Sequence, residues 1–206
     1  MYKRYQCVRL DNICNIRYGR SIRSALVNAP GSDIKLVQTK DFNMNGIDWD
    51  KCASTIHVGN KMPQILQEDD ILFIIRSRLN QAFLVDASIN NVKEKVIFGA
   101  LMYGLRCHET KVLPEYLAWW INQEPAQKYF RGKTDAVSAV DPSTKRDTLM
   151  GLPVVLPSLK DQAVIMNEQR QLKTEMAVLQ EKMDNLAIKV QESANPMGWY
   201  SSQIYL

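Results

Sequence analysis

An α/β (α+β) globular domain followed by one long C-terminal helix, forming a coiled-coil arm, is the fold class the sequence predicts. Three observations predict it. Short strand-like runs such as 34–39 and 71–75 share the first 157 residues with a Pro-initiated helical stretch at 114–122. From Asp161 to Glu192 there is neither Gly nor Pro, and strong helix formers (Ala, Leu, Met, Gln, Glu, Lys) dominate. Within that stretch Leu172, Met176, Leu179, Met183, Leu186 and Val190 recur at alternating spacings of four and three. Such spacing makes the a and d positions of a heptad, a seam narrower than the apolar stripe of an ordinary surface helix. The expected organisation is a globular domain over 1–157, a long coiled-coil dimerisation helix over 158–193, and a tail over 194–206.

The elements follow in order. Tyr5 to Leu10 reads as a short strand and Leu10-Asp11-Asn12-Ile13 as a turn. Arg17-Tyr18-Gly19-Arg20-Ser21-Ile22-Arg23 is the densest basic stretch of the first half, read as a loop that can present guanidinium groups to phosphates or guanine edges. The alternative is an ordinary solvated loop. Ile34 to Thr39 alternates like a strand and runs into Lys40-Asp41-Phe42-Asn43-Met44-Asn45-Gly46, a turn. After the acidic turn Gln67-Glu68-Asp69-Asp70, the unbroken apolar run Ile71 to Ile75 fits a buried strand. Arg76-Ser77-Arg78-Leu79-Asn80-Gln81 is a polar, basic connection, and Ala82 to Val85 and Val96 to Tyr103 supply two more strands.

Pro114 to Asn122 reads as a helix with Pro in its first turn, and Pro125 ends it and opens a second over Ala126 to Arg131. Tyr116, Trp119 and Trp120 are expected to be core or helix-packing residues, with base stacking as the alternative. Gly132-Lys133-Thr134-Asp135 and Asp141 to Arg146 read as basic loops. Leu152 to Leu156 is a strand delivering the chain to Ser158, an N-cap with Asp161 three places on, where a carboxylate opposes the helix dipole. The arm then needs a partner helix, or lies along its own domain. Trp199, Tyr200, Ile204, Tyr205 and Leu206 are too apolar for a free tail and are expected to pack on the arm or a partner.

Composition narrows the function. The 206 residues, 46% hydrophobic and 23% charged, suit one domain plus an extension. No apolar run reaches membrane-span length, and the N-terminus lacks a signal peptide's apolar centre. Cys7, Cys14, Cys52 and Cys107 form no CxxC pair and, with His57 and His108, no zinc-like spacing, so buried reduced thiols in a cytoplasmic protein are expected, without metal or cofactor. The net charge of +4 is unevenly spread: residues 1–160 hold 22 basic and 16 acidic side chains, whereas 161–192 hold four basic and six acidic. A mildly basic globular part suits a polyanion, and an acidic arm suits a protein partner.

Catalytic patterns are wanting. No GxG occurs, so no phosphate-cradling or methyl-donor loop of that kind is present. Asn195-Pro196-Met197-Gly198 lacks the second Pro and the aromatic of an amino-methyltransferase motif. Asp86 with Glu109-Thr110-Lys111 makes a nuclease pattern only if both carboxylates hold a metal from paired strands, and Glu109 sits in a turn. No active site is expected.

The chain resembles a specificity (S) subunit of a type I restriction-modification enzyme, in a half-length form with a single target recognition domain. The resemblance is carried by Leu10-Asp11-Asn12-Ile13 with Tyr18-Gly19, by Val37-Gln38-Thr39-Lys40-Asp41, and by Glu68-Asp69-Asp70-Ile71-Leu72-Phe73, where the family has Gly-Asp-Ile-Leu. Pro114-Glu115-Tyr116-Leu117 and Ile121-Asn122 match the family's helix. The most specific match is Leu152-Pro153-Val154-Val155-Leu156-Pro157-Ser158-Leu159-Lys160-Asp161-Gln162-Ala163-Val164-Ile165, the lead into its long helix. Asp69 replaces the family's glycine, and Thr134-Asp135-Ala136-Val137 replaces its usual Gly-Ser; both bear on local loop geometry. The resemblance implies a non-catalytic protein that reads half of a split double-stranded DNA site and docks modification (methyltransferase) subunits, with a restriction endonuclease subunit as a further partner. One recognition domain and one helix imply a homodimer with antiparallel arms and an interrupted palindromic target.

Contact residues follow from side-chain chemistry: Arg17, Arg20, Arg23, Arg76, Arg78, Lys133, Lys145 and Arg146 for phosphate or guanine, Asn43, Asn45, Asn80 and Gln81 for adenine edges, and Tyr18 within the basic stretch. Two rival readings stay open. One is a free-standing dimeric DNA-binding protein, a repressor or a methyltransferase decoy; the other is a coiled-coil adaptor that binds protein and no DNA.

Overall fold

The computed structural model describes residues 5–23, 27–28, 30–43, 46–56, 64–76, 80–108, 110–133 and 143–194. Strand β1 (Gln6–Arg9) leads through a 3-10 turn at Leu10–Asn12 into β2 (Cys14–Tyr18). Next come β3 (Ile34–Val37), the hairpin β4 (Phe42–Asn43) and β5 (Gly46–Ile47), and β6 (Ala53–Thr55). Then follow β7 (Ile71–Ile74), β8 (Ala82–Leu84), β9 (Lys95–Phe98) and β10 (Met102–Cys107). The rest is helix α1 (Pro114–Ile121), α2 (Glu124–Lys133), α3 (Arg146–Met150), strand β11 (Pro153–Leu156) and α4 (Leu159–Ala194). Mixed sheets and a long C-terminal helix are the expected class.

An antiparallel sheet in the order β2-β10-β7-β8 carries the fold, beside a mixed sheet β6-β3-β9 in which β3 and β9 run parallel. All four residues of β7 are buried, as the unbroken apolar run requires. Val37, Leu72, Val85, Phe98 and Met102 form the core between them. The single strand expected over Val96 to Tyr103 is two strands. Gly99 breaks it, donating its N–H to Val37 O at 2.9 Å while its carbonyl accepts from Met102 N–H at 3.1 Å. That turn sends β9 and β10 into different sheets. The 3-10 turn at Thr39–Asp41, the β4–β5 hairpin and β6 subdivide a region whose short strands lack a two-residue period long enough to read.

Two side-chain amides hold the edges. Asn122 Oδ1 accepts from the Ala82 N–H at 2.9 Å and Asn122 Nδ2 donates to the Ala82 carbonyl at 2.7 Å, so one amide satisfies both backbone groups of a β8 residue. Gln162 is fully buried; its Oε1 accepts from Leu113 N–H at 2.8 Å and its Nε2 donates to the carbonyls of Pro157 (2.9 Å) and Lys111 (3.3 Å). Both residues belong to the stretches that carry the family resemblance; the Asn122 amide does the work of a strand neighbour for β8, whereas the Gln162 amide satisfies backbone groups of the connection before α1 and of the residue after β11. Tyr116 and Trp120 pack as expected, donating to the carbonyls of Val155 (2.7 Å) and Pro153 (3.2 Å) and thereby fixing α1 to β11.

Asp69, at the family's glycine position, adopts φ +67°, the left-handed conformation glycine favours and Asp tolerates. Of the cysteines, Cys14, Cys52 and Cys107 are buried, but Cys7 is exposed, because β1 is open to solvent along most of its length. Burial pushes the Cys14 thiol well above its usual range and the Cys52 thiol up to about 12, which keeps both protonated.

The chain divides into two compact units, Met1–Ala163 and Val164–Leu206. Ser158 caps α4 as expected: its Oγ accepts from Asp161 N–H at 3.1 Å and donates to Asp161 Oδ2 at 2.9 Å. The 36-residue helix α4 exposes its whole seam, with Leu172, Met176, Leu179, Met183, Leu186 and Val190 at 51–69% exposure. Val178 and Ile188 add exposed apolar area beside it. Among the described residues no helix is long and apolar enough to cross a membrane. The aromatic tail lies outside the described residues.

Candidate nucleic-acid interface

The site begins with a buried ion cluster that fixes where β2 ends. Asp70, 1% exposed, follows the left-handed Asp69 and sits at the start of β7. Arg106 on β10 grips its two oxygens with Nε and Nη2, each at 2.8 Å, and Arg17 on β2 places Nη2 2.6 Å from Oδ2. The Gln67 N–H donates to the same carboxylate at 2.9 Å. Burial pushes the Asp70 carboxyl up, but the Arg106 and Arg17 guanidiniums and that N–H outweigh it and hold it below the usual carboxylate range. Arg17 is not a loop residue turned to solvent. It is the penultimate residue of β2, its guanidinium is directed inward, and Phe98 lies under it at 6.0 Å.

Beyond Arg17 the chain turns outward. Tyr18 is 59% exposed and meets Tyr103 of β10 edge-on, the ring centroids 5.6 Å apart. Gly19 follows because nothing larger fits: a Cβ there would lie 1.9 Å from the Gly99 carbonyl oxygen. The close approach lets Arg20 N–H donate to Phe98 O at 2.8 Å and Gly19 N–H to Met102 O at 3.3 Å. Burial, with Tyr18 beside it, pushes the Tyr103 phenol above its ordinary range, so it stays a neutral donor.

The same sheet end receives the segment before α3. Arg76 bridges to Ser143, and Thr144 N–H donates to Ile75 O at 3.0 Å. Lys145, exposed, precedes α3, and Arg146, expected in a loop, is the first residue of that helix. Its guanidinium lies 5.8 Å from the Tyr18 ring centroid, and its Nη1 donates to Met150 Sδ at 2.8 Å. The structure thus brings Tyr18, Arg20, Arg76, Lys145 and Arg146 to one end of the sheet. Acidic groups within electrostatic reach include Asp11, which Arg9 holds through both oxygens (3.1 and 2.7 Å), and Asp147.

The remaining expected contact residues lie elsewhere or inside. Asn80 is only 8% exposed: its Oδ1 accepts from the Thr144 hydroxyl and its carbonyl accepts from Gln127 Nε2 at 2.9 Å, so its amide ties the 143–146 segment to the core. The half-buried Gln81 pairs through its carbonyl with Ile74 N–H at 3.0 Å. Lys133 is exposed at the end of α2, a helix that runs through Gly132-Lys133 where a loop was expected. Asn43 lines a groove with Lys35, Trp49, Lys93 and Glu94 around the β4–β5 hairpin. Arg23 is exposed beyond β2, and Asn45 and Arg78 lie outside the described residues. Two participants had no sequence signal: Tyr103, read only as part of a strand, and Arg106, whose partner Asp70 lies far along the chain.

No family model matches the chain, and no curated protein matches it by sequence. Solved structures do. The HsdS subunit from Thermoanaerobacter tengcongensis matches with TM-score 0.60 at 18% identity, over 86% of this chain and 39% of that one. A chain from a structure on complex assembly and conformational transition of the type I R-M system gives 0.64 at 16% identity, over 91% and 43%. The type I restriction-modification S subunit from M. genitalium gives 0.52 at 12% identity, over 91% and 42%. The chain therefore spans about two-fifths of the length of these structures. At such identities the likeness is one of fold, and the fold of this chain is the one found within type I restriction-modification S subunits.

Proposed function

We propose that this chain is a sequence-specific DNA-binding specificity subunit of a type I restriction-modification system, reading one half-site of a bipartite target. The observation that carries the reading is the convergence of Tyr18, Arg20, Arg76, Lys145 and Arg146 on one sheet end, in a fold whose solved examples are S subunits. Cationic side chains gathered around an exposed aromatic supply the phosphate and base-edge contacts that duplex recognition needs. The chain does no chemistry itself and directs modification subunits, which an endonuclease subunit can join. The domain limits 1–157, 158–193 and 194–206 belong to the same proposal, as does a cytoplasmic setting.

The exposed seam supports a homodimer. Its six residues are disposed symmetrically about residue 181, so antiparallel self-pairing sets Leu172 against Val190, Met176 against Leu186 and Leu179 against Met183 of a second copy. Each layer then joins an a to a d position, and Glu175 falls near Lys189 of the other copy. A two-fold dimer presents the recognition surface twice, which makes its target an interrupted palindrome.

Fluorescence anisotropy with a labelled duplex over a salt series tests the binding. The full-length protein is expected to bind, and Lys145→Ala or Arg76→Ala to flatten the slope of log K against log salt by about one each. Absence of duplex binding at low salt would overturn the proposal.

A further inference from the structure

We propose that Arg146, held on the ring of Tyr18, is a guanine-reading side chain of this chain and not a general phosphate contact; the inference rests on the DNA-recognition reading above. Its surroundings set Arg146 apart from four other described arginines. Arg9 is paired with Asp11, Arg17 and Arg106 with Asp70, and Arg131 with Glu124. Arg146 has an aromatic face and a thioether instead: the Tyr18 ring at 5.8 Å and Met150 Sδ at 2.8 Å. Among the described residues no carboxylate forms an ion pair with it. Its Nε is buried without a hydrogen-bond partner.

An arginine that serves the fold is normally neutralised by a carboxylate, because a guanidinium kept from water costs free energy until paired. This one is immobilised without an ion pair of its own: the Asp11 carboxylate within electrostatic reach is already held by Arg9. Cation–π stacking restrains the plane of the guanidinium without consuming N–H donors, and the weak acceptor Met150 Sδ engages one Nη. The fork is therefore fixed before any ligand arrives, so less side-chain entropy is lost on binding. A planar fork in a fixed orientation matches the paired O6 and N7 acceptors of guanine in the major groove. A phosphate contact needs only a charge nearby, which the exposed Lys145 already offers. Tyr18 is itself fixed from behind: Tyr103 meets its edge, and the Arg17–Asp70 pair anchors the residue before it.

The test selects bound sequences from a random duplex pool for the full-length protein and for Arg146→Lys, Tyr18→Phe and Tyr18→Leu, with thermal melts checking that each variant folds. Arg146→Lys keeps the charge and loses the fork. It is expected to bind the unselected pool within about twofold of wild type, with an unchanged salt slope, while preference for G at one half-site position falls about 5- to 150-fold. Tyr18→Phe keeps the ring and should retain the preference; Tyr18→Leu removes it and should weaken binding to the selected sequence about two- to fivefold. An unchanged profile for Arg146→Lys against an enriched wild type overturns this assignment alone. Uniform weakening on every sequence also overturns it and makes Arg146 a phosphate contact. A wild type that enriches nothing overturns the DNA-recognition reading and this assignment with it.

Discussion

Asp70→Asn removes one negative charge from beneath two guanidinium groups, and the geometry gives the cost. The two pairs are not equal. Arg106 is 40% exposed, so its ion pair is solvent-screened, and on losing its partner the guanidinium can turn to water; that pair accounts for about 1 kcal/mol or less. Arg17 is only 14% exposed, pinned between the 1%-exposed Asp70 and the Phe98 ring, with no comparable escape. A buried charge left without its partner costs about 3–5 kcal/mol. The asparagine Oδ1 can still accept from Gln67 N–H, which recovers part of this, so about 3 kcal/mol is expected. Urea unfolding at pH 7, followed by circular dichroism, should show the midpoint falling by about 1.5 M at an m of about 2 kcal/mol/M. The wild-type advantage depends on pH with a definite sign. Because the folded Asp70 carboxyl lies below its unfolded value of about 3.9, its stabilisation is present above that pH and is lost as pH falls through the lower folded value. The midpoints of wild type and Asp70→Asn should therefore converge below about pH 3.9. A loss under 1 kcal/mol at pH 7, or a gap that does not narrow in acid, would refute the view that the cluster is a buried, charged anchor.

Three further perturbations probe the same framework. Gln162→Leu leaves the Leu113 N–H and the Pro157 and Lys111 carbonyls without their amide partner, and should cost about 3 kcal/mol or more by urea unfolding. Gly19→Ala forces a Cβ to within 1.9 Å of the Gly99 carbonyl oxygen, so the backbone must move; the melting temperature should fall by several degrees and duplex affinity with it, since Tyr18 and Arg20 flank the displaced residue. Leu179→Asp places a charge at the middle of the exposed seam and should leave a monomer by sedimentation velocity while unfolding of the globular unit is unchanged.

What could be read from the sequence was local. The α4 seam, the Ser158–Asp161 cap, the buried run at β7 and the Pro-initiated α1 each depend on a few neighbouring residues, and all are present. The motif residues Asn122 and Gln162 were visible as resemblance but not as physics, because the backbone groups that each amide satisfies are brought to it only by folding. The division of the basic residues was likewise hidden. Arg17 and Arg20 look alike in a basic heptapeptide, yet strand alternation and a distant Asp70 turn Arg17 inward. Asn80 has the chemistry of an adenine reader, but Thr144 takes its amide oxygen. Conversely, no local pattern announces that Arg146 meets Tyr18, which pairing of β2 with β10 and the anchoring of Thr144 on Ile75 accomplish.

The central claim is that this chain reads DNA sequence as a two-fold dimer. The most direct measurement is selection from a random duplex library at moderate salt, with and without a type I modification (methyltransferase) subunit, followed by sequencing of what is retained. The account predicts an interrupted palindrome whose half-sites lie about one helical turn or somewhat more apart. Retention without any sequence enrichment, in either condition, would contradict it.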